Sequence, residues 1–226
     1  MSRILVFFAC LVISISAFAA GLDSLSNTEA TGGLKQALTD GSAAAVAQLG
    51  TENGFLSNPK VKIPLPPALQ KVEAALRYTG MRKQADELVV AMNRAAEAAV
   101  PEAKALLIDS VRKMTVQDAK GILTGGDTSA TDYFRRTTQT QLAQRFLPIV
   151  KKATDRVGLA EQYNGLAGQA AQLGLIREQQ STIEGYVTQK ALDGLYLMIA
   201  EQEKAFRQNP LGAASDIVKR VFGAMR

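Results

Sequence analysis

The side chains available for chemistry are carboxylates, guanidinium and ammonium groups, and hydroxyls. The 226-residue sequence has no His and no Trp, and its one Cys is Cys10. Ser-His-Asp systems, thiolate zinc sites and haem held by His are therefore excluded, as is any Cys-His pair. The chain has no G-x-x-x-x-G-K-[ST], and no strand leads into G-x-G-x-x-G, so nucleotide binding of those kinds has no basis. No cofactor and no metal site is expected.

Three spacings remain. Asn93 and Glu97 lie one helical turn apart among alanines and so share a face. An exposed, solvated Glu97 is the expected arrangement; on a buried face it would need a cation such as Arg135 or Arg207, because an unpaired buried charge is very costly. Glu203 and Arg207 have the i to i+4 spacing of a surface ion pair worth about 0.3 to 0.5 kcal/mol. The stretch from Gly125-Gly126 to Arg135-Arg136 could cradle an anion at a helix start. The expectation is plainer: the glycines end one helix and Asp127 or Thr128 caps the next.

The elements that must position these groups are helices. Apolar residues recur at three and four residue spacing almost throughout, and no convincing alternating strand appears. The expected fold is all-α, a single-domain helical bundle of about eight to ten helices. Lys60 to Pro66 is the exception: Val61, Ile63 and Leu65 alternate, but two prolines remove ladder donors, so an extended Pro-containing strap is expected.

Before the strap, residues 33–49 predict one or two short helices broken near Gly41, and after it Pro67 opens a helix ending at Gly80. Further helices are expected over about 82–100, from Pro101 through Met114, and from a Thr115–Asp118 cap through Leu123. The longest should run over about 129–157, kinked at Pro148 and stopped by Gly158. A less regular stretch at 159–180 precedes a helix from the Ser181-Thr182-Ile183-Glu184 box to Asn209-Pro210, and a last one spans about 211–222.

The first residues give a location. Arg3, the apolar run from Ile4 and the Ala17-Phe18-Ala19 sequence have the form of a secretory leader. The expected division is a signal peptide at 1–19, cleaved after Ala19, and one helical domain at 20–226 in a bacterial periplasm. Cleavage removes Cys10, leaving a chain with neither thiol nor imidazole. No later apolar run reaches spanning length, so a soluble mature protein is expected. The formal charge of +5 is spread over pairs such as Arg82-Lys83, Arg112-Lys113 and Lys151-Lys152. Export argues against nucleic acid, and the scatter favours solubility over a defined anionic lipid or lipopolysaccharide surface.

Several motifs in one order carry a resemblance over nearly the whole mature chain: Gly54-Phe55-Leu56 through Lys62-Ile63-Pro64-Leu65-Pro66, Met92-Asn93-Arg94-Ala95-Ala96-Glu97, Asp118-Ala119, Ala130-Thr131-Asp132-Tyr133-Phe134-Arg135, and Tyr186-Val187 to Arg207-Gln208-Asn209-Pro210. The chain resembles the bacterial exported proteins grouped as domain of unknown function 4197. The resemblance implies a helical envelope protein without an assigned activity. It also makes Asn93, Glu97, Asp118, Tyr133, Arg135, Glu203 and Arg207 candidates for a shared polar binding cluster.

Three functional readings follow. The leading one is a binding or scaffolding module of the envelope, with an envelope protein, lipid or anionic membrane surface as partner. A carrier for a lipid or other apolar ligand would need a continuous cavity between helices. An enzyme acting on an envelope glycan or phospholipid would need carboxylates such as Glu97 and Asp118 to converge near Arg135.

Overall fold

The computed structural model describes residues 27–71, 82–172 and 181–209, with Asp216, Lys219 and Val221. Among them the protein is all-helical, with seven α-helices and no strand, against the eight to ten helices expected. The helix expected from Pro67 is described only at 67–71, and most of that at 211–222 lies outside the described residues, as does the leader.

The first helix, α1 (Asn27–Leu49), is continuous where a break was expected. Leu34, Ala37, Leu38, Gly41, Ala45 and Leu49 hold one buried stripe through Gly41 without a change of phase. Gly41 serves a close approach rather than a turn: a Cβ there would lie 3.2 Å from Cε2 of Phe206.

Residues 51–61 turn the chain back, and residues 62–66 follow with no regular secondary structure. Val61, Ile63 and Leu65 are buried while Lys62 and Pro64 are exposed, so alternation survives without a ladder.

Helix α2 (Arg82–Ala99) buries Leu88, Met92, Ala95, Ala96 and Ala99, a stripe of small residues that lets neighbours come close. A 3-10 turn at Val100–Glu102 contains Pro101 and leads into α3 (Ala103–Lys113). Thr115 then forms a full capping box with Asp118 at the start of α4 (Val116–Leu123).

Helix α5 (Ser129–Thr154) contains Pro148 and buries Phe134, Leu142, Phe146 and Val150. It ends three residues before the expected Val157, and Gly158 does not stop it. Gly158 instead opens α6 (Gly158–Gln172). In α7 (Ile183–Gln208) the cap is Thr182, not Ser181: its extended backbone lets the hydroxyl accept from the Gly185 N–H at 3.1 Å.

The most extensive helix contact joins α5 to α7; α2 packs on both of these, and α1 packs on α7 and α3. Their apolar faces and the returning chain form one buried cluster, in which Tyr196, Phe55, Phe134 and Phe146 are the largest fully buried side chains.

Candidate functional site

Glu97 is 5% exposed and Asn93 is fully buried, which corrects the expected solvated glutamate. The reason is the returning chain, which lies over the alanine face of α2. Glu97 Oε1 accepts from the Phe55 and Leu56 N–H groups, each at 3.0 Å. Its cation is neither Arg135 nor Arg207 but Arg94, three residues earlier, whose Nη1 donates to Oε2 at 2.6 Å. Burial alone pushes the Glu97 carboxyl up, but the hydrogen bonds from Leu56, Arg94 and Phe55 outweigh it and hold it below its ordinary 4.5.

One turn earlier, Asn93 treats Ile63 as a strand partner would. Its Oδ1 accepts from the Ile63 N–H at 2.8 Å and its Nδ2 donates to the Ile63 carbonyl at 2.9 Å. Arg94 reaches outward to Glu52 Oε1 at 3.1 Å and Asn53 Oδ1 at 3.0 Å. Three successive polar positions of α2 thus fasten residues 52–63. Gly194 of α7 completes the seat, since a Cβ there would meet Cε1 of Phe55 at 2.8 Å.

This fastened loop walls a groove of about 430 Å³. Thr51, Glu52, Asn53, Ser57, Asn58 and Lys60 line the loop side. Gln48 of α1 and Met198 and Glu201 of α7 line the rest. Lys60 Nζ crosses to Glu201 Oε1 at 2.6 Å, and Asn53 at the turn has φ 68°. Sequence reasoning missed these lining residues and Arg94, although Asn53-Gly54 and Asn58-Pro59 are turn signals that mark the loop.

Glu203 and Arg207 are no surface pair: their side chains are 2% and 10% exposed. Glu203 Oε1 accepts from the Ala130 N–H and Oε2 from the Thr131 N–H, both at 3.0 Å, and Thr131 Oγ1 adds 2.9 Å. The start of α5 therefore does hold an anion, supplied by α7 of the same chain. Thr128 stands at the N-cap without a side-chain cap bond, so the local cap expected at Asp127 or Thr128 is replaced from a distance. Arg207 Nη2 bonds Glu203 at 2.9 Å and also the Ile122 carbonyl at 2.9 Å, tying down the end of α4.

Of the other expected cluster members, Asp118 and Tyr133 share Arg136 as a neighbour, its guanidinium lying 5.5 Å from the Tyr133 ring centre, while Arg135 has partners of its own. Asp118 is held by Thr115 in the capping box and approached by Arg136 at 3.8 Å, and the bonds from the Thr115 side chain and backbone keep its carboxyl low. Tyr133 donates to the Ser110 carbonyl at 2.8 Å, linking α5 to α3. Arg135 lies over the Tyr196 ring at 4.7 Å and pairs with Asp193 at 3.6 Å. The pairs Asn93–Glu97 and Glu203–Arg207 make two separate clamps. Glu97, Asp118 and Arg135 have no partner in common, leaving the carboxylate-enzyme reading without a shared site.

Among the described residues no cluster of three or more His, Cys, Asp or Glu side chains is placed to hold a metal ion, and no helix is long and apolar enough to cross a membrane. No curated protein and no solved structure matches the chain. The model of the family described as "Protein of unknown function (DUF4197)" matches residues 24–223, which takes in every described residue, and the chain belongs to that family.

Proposed function

We propose that this chain is an exported helical binding module of the cell envelope, freed of its leader after Ala19, that takes a small polar ligand in the groove beside residues 51–60. The observation that carries the reading is the groove's wall, a loop tied to α2 by hydrogen bonds from residues 52–56 to Arg94 and Glu97. Binding sites gain affinity when the protein is ordered before the ligand arrives. A volume of about 430 Å³ falls in the range of small-molecule clefts.

Apolar carriage has less support. The space between α1, α5 and α7, bordered by Leu38, Phe134, Ile199 and Phe206, holds about 10 Å³. That is room for a single water. Export is supported by the leader-like first residues, and a binding role by the missing catalytic residue types.

The test is native mass spectrometry of the chain exported by its own leader and purified from shock fluid without detergent, alongside its denatured mass. A denatured mass lacking residues 1–19 and a native mass carrying an adduct that Ser57→Trp removes would support the proposal. A retained leader would overturn export. A bare native mass, unchanged after incubation with envelope extract, would overturn small-ligand binding.

A further inference from the structure

We infer that the groove is a saccharide site, taking a neutral amino-sugar unit through its hydroxyl and acetamido groups. The inference rests on the binding reading above and names the ligand class of the same groove.

Charge is the first argument. Among the described lining residues the one cation, Lys60, is paired with Glu201, and Glu52 is paired with Arg94 at the rim. Both pairs face solvent, with the Lys60 side chain 58% and the Glu52 side chain 80% exposed, yet each is made within the chain, so the described lining together with Arg94 presents balanced charge. Balanced charge of this kind suits a ligand without net charge.

Hydrogen-bonding character is the second. Asn53 Oδ1 already accepts from Arg94, and Asn58 Oδ1 accepts from the Lys60 N–H at 3.1 Å. Each amide keeps its Nδ2 donor pair and one further lone pair on Oδ1. Glu52 and Glu201 offer acceptor oxygens only, and Ser57 can act either way. A cleft lined by both donors and acceptors matches a ligand whose own groups both donate and accept, as sugar hydroxyls and an acetamido group do.

A peptide fits less well. Among the described residues there is no sheet edge to extend, and with Met198 only 4% exposed the main apolar contact left in the lining is the Pro59 ring. That contact suits the C–H face of a sugar ring.

The test is an NMR titration of the full exported chain, isotope-labelled, with N,N′-diacetylchitobiose, glycylglycine and inorganic phosphate as separate probes. Chitobiose is expected to shift amides within residues 51–60 with a dissociation constant of about 0.1 to 1 mM. Its affinity should change less than about twofold between low and high salt, as an uncharged ligand requires. Ser57→Trp, which disturbs no side-chain hydrogen bond, should weaken it at least about tenfold by filling the cleft. Glu201→Gln should weaken it about fivefold while the melting temperature stays within a few degrees.

Shifts at residues 51–60 from glycylglycine or phosphate, with chitobiose inert, would overturn the saccharide assignment while keeping the groove as a binding site. A retained native adduct with every probe inert at 51–60 would likewise sink the saccharide class alone. A bare native mass together with three inert probes would remove both readings. Sedimentation with purified peptidoglycan, competed by chitobiose, distinguishes a wall glycan from a free saccharide.

Discussion

Replacing Glu203 by Ala separates the buried clamp from the surface pair that spacing alone suggests. The variant loses both oxygens that satisfy the Ala130 and Thr131 N–H groups and the Thr131 hydroxyl. It also leaves Arg207, 10% exposed, with the Ile122 carbonyl as its remaining hydrogen bond. An orphaned buried N–H costs about 1 to 3 kcal/mol, and breaking a buried ion pair from one side costs about 3 to 5 kcal/mol. The two figures count part of the same desolvation, so the expected loss is about 4 to 5 kcal/mol rather than their sum. A surface pair would lose about 0.3 to 0.5 kcal/mol. Urea unfolding followed by helical circular dichroism reads the difference. With a slope near 2.5 kcal/mol per molar, the midpoint should fall by about 1.6 to 2 M. Thermal unfolding should shift by roughly 10 to 15 °C. Removing Arg207 in the Glu203→Ala background should then cost about 2 to 3 kcal/mol less than it does alone, because the two side chains act as one unit. A loss under 1 kcal/mol, or strictly additive losses, would refute the clamp.

The Asn93 amide bonds both polar groups of Ile63, so Asn93→Ala should cost about 2 to 4 kcal/mol by urea unfolding, and Asn93→Asp at least as much, since a carboxylate would face the Ile63 carbonyl. A neutral outcome for either would show that the 61–66 segment is not fastened there. Because the fold lowers the Glu97 carboxyl below 4.5, its stabilisation is complete above that value and lost as pH falls below it toward the depressed one; Glu97→Gln should flatten stability against pH in that window, and parallel curves would count against the clamp. Gly194→Ala should cost about 1 to 3 kcal/mol by crowding Phe55 and Val61, whereas a stabilised variant would mean the loop can yield. Burial, with a smaller contribution from Tyr163, pushes the Tyr186 phenol up to about 12; ultraviolet titration should show a late step that Tyr186→Phe abolishes, and stability should fall as pH rises from 10 through 12.

Much of the scaffold was legible because it is local. Three and four residue spacing marks a buried stripe wherever it falls, which gave α2, α3 and α7 close to their observed bounds. The Thr115–Asp118 box was readable because both halves of a cap lie within one turn. Local signals misled where their partner was distant. Gly41 looks like a helix break until Phe206 is set against it, and Gly158 looks like a stop although it begins a helix.

The sequence by itself determined the helical class, the chemistries excluded and the family, since all three depend on which residues are present and in what order. It also brought Asn93 to the face of Glu97 and Glu203 to that of Arg207, because helical pitch does so in any context. Only tertiary structure decided what those pairs do. Glu97 meets the N–H groups of Phe55 and Leu56 from 41 residues or more away, and Glu203 meets Ala130 across 73. Whether a carboxylate is solvated or buried depends on what the rest of the chain lays over it, and burial is what turns a weak surface pair into a clamp. The groove has the same origin: its lining comes from a turn at 51–60 and one face of α7, joined by Lys60 and Glu201 from 141 residues apart.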